Sequence, residues 1–454
     1  MQNSRASDRL GTAPVGKLLW EMAIPTVLAQ LVNLLYNIVD RIYVGHIPGD
    51  GAMALAGLGV TFPITMLVSA FASLVGGGGA ARASIAMGRG DNDLAQKILG
   101  NCATLIVILS AALMALFLPL REPILLAFGA SANTLPYASS YLFIYLMGTV
   151  FVQLTLGLNA FITNQGFARM GMMTICIGAV MNIALDPLFI YAFGMGVEGA
   201  ALATVISQAA SAIWVVSFLN GKKSSLHVRP RDMQLSWKVL APVLALGVSP
   251  FVMQSTECLV QLTFNNGMLR YGNDMYVALM SICFSLTQII WLPMSGFGQG
   301  ATPVIGYNYG AAKMERVRKA FRLMFTILVA FSVGTVAIIE LFPGFFMRLF
   351  TSDAELIDMG LSSVRVFMAG MALIGMQSAC QQTFMALGQA KISMFLAMLR
   401  KIILLLPLAL ILPRLGLGVW GLLLAEPISD AIASCVTATM FFFKSKKLLY
   451  VEGK

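Results

Sequence analysis

Apolar segments of about 20 residues or more recur from one end of this sequence to the other, separated by short polar loops. An α-helix of that length crosses the hydrocarbon core of a bilayer. Hydrophobic residues occupy 58% of the 454 positions and charged residues only 11%, against roughly 25% charged residues in soluble domains. The pattern therefore predicts an all-α integral membrane protein, because a membrane β-barrel would instead show short segments of alternating polarity.

Hydropathy and the positions of Gly, Pro and charged clusters predict twelve transmembrane helices. The first six are expected at 17–45, 54–87, 97–120, 136–163, 170–193 and 197–219. The second six are expected at 238–269, 275–308, 320–346, 355–387, 390–413 and 418–443. We expect an N-terminal lobe over 1–221, a cytoplasmic linker over 222–237 and a C-terminal lobe over 238–454.

Lysine and arginine are distributed unequally between the two sides of the membrane that this topology creates. Of the 30 basic residues, four lie inside spans, 22 lie on the side of the termini, and four lie opposite: Arg121, Arg270, Arg348 and Arg414. Cytoplasmic loops carry the excess of Lys and Arg, so we expect both termini in the cytoplasm. This asymmetry also accounts for the net charge of +10 without a nucleic acid partner.

The two halves of the sequence resemble each other at a constant offset. "GMGVEGAA" at 194–201 returns as "GLGVWGLL" at 416–423, a shift of 222 positions, and "FGASANT" at 128–134 matches "FTSDAEL" at 350–356 with the same shift. Six spans separate equivalent points, so the halves share one orientation and form two pseudo-symmetric six-helix lobes. Transporters are often built from such repeats, with the binding site between them.

Ionisable side chains inside the expected spans suggest a functional site, because each costs at least about 2.5 kcal/mol to insert. Tyr36 and Asp40 lie four residues apart on one face of the first helix, as do Asn182 and Asp186 on the fifth. Thr204 lies at a similar depth in the sixth helix. Two carboxylates with amide and hydroxyl oxygens are suited to bind a proton or a sodium ion.

Two structural alternatives accompany this interpretation. Asp40 could form a local salt bridge with Arg41, although adjacent helical residues point about 100° apart and do not face each other. Asp186 precedes Pro187 and could cap a helix end or kink.

Several short motifs carry a resemblance to a known family. They are "EMAIPTVL" at 21–28, "VDRIYVG" at 39–45, "ALDPLFI" at 184–190 and "GVEGAALAT" at 196–204. Together with the twelve spans, they make the whole chain resemble the multidrug and toxic compound extrusion (MATE) family, in particular its MepA-like and DinF-like bacterial members.

The resemblance implies functional positions in the N-terminal half. Asp40, Asp186, Asn182 and Thr204 match the cation site of the DinF-like members, which makes them the expected sodium ligands if sodium is the coupling ion. Asn159 matches that pattern too, although its expected span places it nearer the cytoplasmic end.

The C-terminal half is less regular. Glu257 resembles an acid used by NorM-like members, but Gln377 and Gln381 stand where those members carry a second acid, which weakens the expectation of a cation site there. The expected substrate cavity includes Glu257, Gln377, Gln381, Arg400 and Met253. Glu426 and Asp430 could pair with Arg400, Lys401 or Arg365, and for these basic residues pairing and substrate contact both remain open.

Other motifs exclude alternative functions. The run "GGGGAARAS" at 76–84 lacks the Gly-Lys-Ser/Thr ending of a phosphate loop, so we expect close helix packing there and no ATP site. Its counterpart "GFGQGATPV" lies at 296–304. His46 and His227 lie in loops without a nucleophile or a metal-ligand partner, so we expect no enzyme activity.

The resemblance and the residues together predict a secondary active multidrug exporter in the bacterial cytoplasmic membrane. It would be a monomer among membrane lipids, need no cofactor, and exchange cationic or amphipathic drugs for protons or sodium ions. The principal alternative is a flippase for lipid-linked anionic precursors, for which Arg365, Arg400 and Lys401 are candidate contacts. A lipid-modifying enzyme is a further alternative, but it needs a catalytic site that the sequence does not show.

Overall fold

The computed structural model describes residues 5–449, so Lys454 and the other terminal positions of the expected lobes lie outside the described residues. Its helices run in chain order as α1 Arg5–Thr12, α2 Val15–Gly45, α3 Gly51–Gly88, α4 Asn92–Ala127, α5 Leu135–Met147, α6 Thr149–Asn164, α7 Ala168–Pro187, α8 Gly196–Asn220, α9 Trp237–Tyr271, α10 Asp274–Gly310, α11 Met314–Leu341, α12 Pro343–Phe350, α13 Ala354–Met368, α14 Met371–Ala386, α15 Ala390–Met398, α16 Leu406–Ile411 and α17 Gly418–Leu449. Two π-helical segments, Leu188–Ala192 and Leu399–Leu405, extend α7 and join α15 to α16. We call α2–α8 the N-terminal half and α9–α17 the C-terminal half.

The helices reproduce the expected number of membrane spans. Within residues 5–449, eleven stretches are long and apolar enough to cross a bilayer, and the pair α5 and α6 makes a twelfth if it counts as one span. That pair is bent by 57° at Gly148, where a Cβ atom would clash with Val205 of α8. The glycine therefore permits the close contact that the bend requires.

Two expected spans differ from the structure. The ninth, expected over 320–346, ends at Leu341. Pro343 begins the separate helix α12, because proline has no amide hydrogen with which to continue the preceding helix. The tenth, expected over 355–387, is interrupted between Met368 and Met371, where a Cβ on Gly370 would contact the backbone of Pro427. Local breaks of this kind depend on tertiary packing, which hydropathy does not record.

The two halves pack tightly on the side of the membrane where α2 begins and α17 ends, which we call the termini side. A Cβ on Gly247 of α9 would clash with the carbonyl oxygen of Leu74 on α3. A Cβ on Gly300 of α10 would lie 2.7 Å from the Cα of Ala23 on α2. The hydroxyl of Thr26 donates to the Gly296 carbonyl at 2.7 Å. In the run 76–84, a Cβ on Gly78 would clash with the Val243 carbonyl oxygen of α9, so glycines of both runs allow close packing.

A short leader segment from the chain start is bound to the C-terminal half. Lys313 donates to the Gly11 carbonyl at 2.8 Å, and Arg316 donates to the Ala13 carbonyl at 2.6 Å. The Asn308 amide donates to the Leu10 carbonyl at 2.8 Å, and Leu10 is fully buried. Thus α1, which precedes the N-terminal half, is anchored to the opposite half.

The linker between the halves shows the reciprocal arrangement. Gln165 Oε1 accepts hydrogen bonds from Ser224 Oγ at 3.0 Å and from the Leu226 backbone at 3.1 Å. Gln96 Oε1 accepts from the backbone of His227 at 2.9 Å. The linker is therefore bound to the N-terminal half, whereas the segment before α2 is bound to the C-terminal half. On the termini side, each half thus holds the segment that precedes the other half.

Packing between the halves is much looser toward the opposite side. In α2 the buried residues end at Ala29 and resume only at Asp40. Between them, polar residues such as Asn33 and Asn37 are half-buried. This is the pattern of a helix that leaves its partner and lines a cavity, so the space between the halves opens away from the termini.

Replacing Gly247 with alanine should open the termini side. The added methyl group meets the Leu74 backbone, which cannot rotate away. Overpacking of this kind costs about 1–3 kcal/mol, which corresponds to a population shift of roughly 5–150-fold. Distances between spin labels at exposed positions 97 and 391, on the two halves, should therefore lengthen in Gly247→Ala. Gly59→Ala is the matched control, because that α3 position has no neighbour within 4 Å. Unchanged distances in Gly247→Ala would contradict this account of the interface.

Candidate ion-binding site and its surroundings

Helices α2 and α7 bring two carboxyl groups together near their ends opposite the termini. Asp40 is 9% exposed and Asp186 is fully buried, and the two groups lie within interaction distance of each other. Asn182 Nδ2 donates to Asp186 Oδ1 at 3.2 Å and contacts Thr204 Oγ1 at 3.4 Å. The residues predicted on three separate helices thus form one polar group inside the N-terminal half.

The local sequence explains why Asp186 and Thr204 meet. Pro187 ends the regular α-helix because it has no amide hydrogen, and the chain continues as the π-helical segment Leu188–Ala192. Gly194 and Gly196 then adopt positive φ values of 66° and 57°, which glycine tolerates without strain. This tight turn reverses the chain into α8 and returns Thr204 to the level of Asp186.

Three acceptor oxygens of this group have no hydrogen-bond donor among the described residues: Asp40 Oδ1, Asp186 Oδ2 and Asn182 Oδ1. A buried acceptor without a donor costs about 1–3 kcal/mol, and more when it is charged. A proton on one carboxyl, or a sodium ion between the oxygens, would remove that cost. Across residues 5–449 no cluster of three or more His, Cys, Asp or Glu side chains could hold a metal. A bound cation here would therefore need the amide and hydroxyl oxygens as well.

Tyrosine side chains surround the two carboxyl groups. Tyr36, predicted from its spacing to Asp40, lies close enough to interact with it electrostatically. Tyr141 of α5 lies near Thr204 and Asp40, and its ring stacks on Tyr145 with centroids 6.3 Å apart. Tyr141 and Tyr145 were not among the predicted site residues, although their four-residue spacing in a span was a signal that could have identified them.

The alternatives raised for Asp40 and Asn159 are decided by their neighbours. The guanidinium of Arg41 lies 5.1 Å from the ring centroid of Phe62. It acts on Asp40 electrostatically, but the two side chains form no salt bridge in the described part of the chain. Asn159 bonds with Thr174 Oγ1 at 2.9 Å and with the Gly171 carbonyl at 3.2 Å. These groups lie two to three helical turns from Asn182 along α7, so Asn159 is outside the polar group and we leave it out of the site.

A second group of charged residues lies near the middle of the C-terminal half. Arg400 Nε donates to Asp430 Oδ1 at 2.7 Å, and its Nη2 lies 3.4 Å from Glu426 Oε1. Lys401 Nζ lies 3.0 Å from Glu257 Oε2. Arg365 instead donates to the Glu340 carbonyl at 3.1 Å. Of the pairings left open by the sequence, Arg400 therefore takes both acids of α17.

The remaining candidates for the substrate cavity differ in their surroundings. Gln381 is buried and donates to Ser249 Oγ at 2.8 Å and to the Ser393 carbonyl at 2.9 Å, so its amide joins α9, α14 and α15. Gln377 is buried and its Oε1 has no donor among residues 5–449. Met253 is half-buried on α9, beside the polar face of that helix. Met253 is therefore exposed enough to face a cavity. Arg400 and Gln381 instead use their polar groups in bonds within the C-terminal half.

Comparisons with known proteins give matches in both halves of the chain. The family model described as MatE matches residues 25–188 and 251–411, which lie in the two halves. The multidrug export protein MepA of Staphylococcus aureus (strain MRSA252) is 27% identical over 434 residues, covering 93% of this chain and 94% of that protein.

Solved structures share the architecture. One described as the outward-facing conformation of a multidrug resistance MATE family transporter of the MOP superfamily superimposes with a TM-score of 0.90. It is 24% identical, and the match covers 99% of both chains. A MATE structure in a bent conformation gives a TM-score of 0.91 at 23% identity, again over 99% of both chains. At these identities the likeness shows the fold, and it confirms the predicted arrangement of membrane helices in two halves.

Removing the amide of Asn182 should destabilise the protein more in alkaline than in acidic buffer. The amide donates to Asp186, and a carboxylate needs that donor more than a protonated carboxyl does. The expected cost is about 1–3 kcal/mol when Asp186 is ionised. It is measured as the fall in melting temperature of detergent-purified Asn182→Leu at the two pH values. In the control Asn159→Leu, the lost bonds are to uncharged groups, so its fall should not depend on pH. Equal losses for Asn182→Leu at both pH values would exclude the inferred role of the amide.

Proposed function

This chain belongs to the MatE family, and on that premise we propose that it is a secondary active multidrug exporter. It would exchange small cationic or amphipathic molecules for protons or sodium ions by alternating access. The observation that carries the proposal is the buried pair of carboxyl groups, Asp40 and Asp186, with acceptor oxygens that lack donors. A pair of this kind exists in at least two charge states, and that is what ion coupling requires.

The position of Asp40 offers a route from ion binding to movement of the halves. Residues 15–29 of α2 pack against the C-terminal half, where the Thr26 hydroxyl donates to Gly296. Asp40 lies about four helical turns beyond Thr26, in the N-terminal half. One helix thus joins the carboxyl pair to the interface that must open and close. A change in charge at Asp40 is therefore felt by a helix that contacts both halves.

Coupling further requires that the ion and the drug bind the two conformations with different affinity. In the conformation described here, the termini side is closed and the cavity opens on the other side. If both carboxyl groups are ionised, their repulsion inside the N-terminal half disfavours close packing around them. Uptake of a proton or a sodium ion removes that repulsion and stabilises a different arrangement of α2.

The chemistry of the site is compatible with either coupling ion. A shared proton satisfies one orphaned carboxylate oxygen and turns the other group into its acceptor. A sodium ion takes oxygen ligands, and Asp40, Asp186, Asn182 and Thr204 supply carboxylate, amide and hydroxyl oxygens. We propose coupling by one of these two ions, and the experiment below separates them.

The cavity suits apolar molecules that carry positive charge. Met253, Asn33 and Asn37 are half-buried, and we place them in the walls of the loosely packed region between the halves. Methionine adapts its shape to different ligands, which favours broad specificity. The carboxyl pair of Asp40 and Asp186, which forms no salt bridge among the described residues, lies in the N-terminal half. The relative named MepA is described as a multidrug export protein, which supports the same substrate class.

We further propose that the protein acts as a monomer in the bacterial cytoplasmic membrane, with both termini in the cytoplasm. The excess of Lys and Arg in loops on the termini side supports this orientation. The open cavity would then face outward. Transport would need no cofactor, since the ion gradient supplies the free energy.

The flippase alternative is not favoured by the placement of its basic residues. Recognition of an anionic lipid precursor needs cations that face the cavity. Arg400 and Lys401 are buried in ion pairs with acids, and Arg365 is bound to a backbone carbonyl. The charges of Arg400 and Lys401 are thus neutralised within the C-terminal half, and the exposed Arg365 lies beside Glu340 of α11, which acts on it electrostatically.

The test is efflux of a fluorescent cationic dye from proteoliposomes, with pH and sodium gradients imposed separately. The wild type should export the dye under one of the two gradients. Asp40→Asn, which keeps the side chain's size but cannot change charge, should reduce that efflux to the rate seen without a gradient.

Asp93→Asn is the matched control, because Asp93 is an exposed acid in the first turn of α4. It should retain wild-type efflux. Full gradient-driven efflux by Asp40→Asn would refute Asp40 as the coupling residue, and no efflux by the wild type under either gradient would refute the antiport.

A further inference from the structure

Five charged side chains are gathered in the C-terminal half, and the site of the proposed function does not use them. Arg400 and Lys401 come from the π-helical segment Leu399–Leu405, Glu426 and Asp430 from α17, and Glu257 from α9. Arg400, Lys401, Glu426 and Asp430 are each 7% exposed or less. Charged groups buried this deeply inside membrane helices are costly unless they have a function or complete compensation.

Two adjacent basic residues of the π-helical segment have different partners. Adjacent helical side chains diverge by about 100°, so they can reach different neighbouring helices. Here Arg400 reaches the two acids of α17, whereas Lys401 reaches Glu257 of α9. The guanidinium also lies 5.6 Å from the ring centroid of Trp291 on α10. The segment therefore joins three neighbouring helices through charge.

Compensation within this group is incomplete. Three carboxyl groups face two basic groups, so the group carries a formal charge of −1 when every member is ionised. Glu426 Oε2 and Asp430 Oδ2 have no hydrogen-bond donor among the described residues, and both side chains are more than nine-tenths buried. The excess charge and the orphaned oxygens occur on the same two residues.

The internal repeat places this group at the position in the C-terminal half that corresponds to the proposed ion site in the N-terminal half. Glu426 lies 222 positions after Thr204, which is the offset that relates the two halves, and Asp430 lies 222 positions after Gln208. A π-helical segment accompanies the site in both halves. The same pair of helices therefore carries buried polar groups in each half, with different residues.

We propose that Glu426 and Asp430 form a second proton-binding site, which holds one shared proton in the C-terminal half. A proton from the aqueous phase forms an O–H bond with one carboxylate oxygen, and the protonated group can donate to its neighbour. The step cancels the formal charge of −1 and removes the orphaned oxygens. Its part in transport rests on the proposed function, whereas the binding of the proton does not.

A proton fits this site better than a metal cation. Arg400 and Lys401 already occupy the positive positions beside the carboxyl groups and would repel a second cation. The described residues also contain no group of three acids, histidines or cysteines that could ligate a metal. The charged groups that act on Glu426 are Lys401, Asp430, Arg400 and Glu257, and the packed face of α10 adds the neutral ring of Trp291. The test must therefore distinguish protonation of the Glu426–Asp430 pair from effects of these other residues.

The test is infrared difference spectroscopy of the purified full-length protein as the pH is stepped, which reports the carbonyl stretch of protonated carboxyl groups. The background is the double variant Asp40→Asn, Asp186→Asn, which removes the buried carboxyl pair of the N-terminal half. Besides the bands of exposed acids, that background should retain one titrating band at the higher carbonyl frequency of a buried carboxyl group. Adding Glu426→Gln should abolish the band, and adding Glu198→Gln should leave it unchanged, because Glu198 is an exposed acid in the first turn of α8.

If Glu426→Gln fails to fold, Glu426→Asp keeps the carboxyl group and should shift the band in frequency. A background without that higher-frequency titrating band would overturn the proposal, as would a band that persists in Glu426→Gln or is unmoved in Glu426→Asp. A band abolished by Glu257→Gln, with Glu426→Gln unaffected, would also overturn it. The proposed function fails by a different result, namely efflux that survives in Asp40→Asn, so the two failures are distinguishable.

Discussion

A carboxyl group held among apolar membrane helices needs a compensating partner, and the two halves of this protein meet that need differently. In the C-terminal half, Arg400 and Lys401 neutralise two of three acids through ion pairs of 2.7–3.4 Å. In the N-terminal half, Asp40 and Asp186 face each other with one amide donor from Asn182. The N-terminal carboxyl pair has less compensation, because no ion pair neutralises either acid, and we place ion coupling there for that reason.

The interface between the halves matters because it connects the two differently compensated halves. Glycines on α3, α9 and α10 allow backbones to touch on the termini side, and the crossed leader segments reinforce that contact. The opposite side lacks such packing along α2, so a cavity opens there. Because α2 passes from the tight interface to Asp40, one element joins the closed side of the molecule to the carboxyl pair. Ion binding near one end of α2 can therefore influence the interface at its other end, which controls access to the cavity.

Much of this architecture could be predicted from the sequence, since the physics that decides it is local. Apolar length decides the number of spans, and the offset of 222 positions reveals the repeat. Spacing of four residues placed Asn182 beside Asp186, and the structure brings both to Thr204 and Asp40. The bend at Gly148 and the break near Gly370 could not be predicted, because each depends on a contact with a distant helix.

The partners of buried charges were harder to predict than their positions. Arg400 and Lys401 are adjacent in sequence, and only the packing of the neighbouring helices determines which acids they contact. Asn159 was assigned to the cation site by resemblance, but its side chain bonds to Thr174 and Gly171. Tyr141 and Tyr145 were overlooked, because their four-residue spacing indicates a shared helix face but not which groups that face contacts.

The central claim is that occupation of the Asp40–Asp186 pair and occupation of the cavity are thermodynamically linked. Linkage is reciprocal, so a drug that binds at the cavity must displace the coupling ion from the pair. Calorimetric titration of a cationic drug in buffers with different ionisation enthalpies, with and without sodium, measures that displacement directly. The account predicts proton release or competition by sodium in the wild type, and neither in the double variant Asp40→Asn, Asp186→Asn. Drug binding to the wild type that depends on neither ion would contradict it.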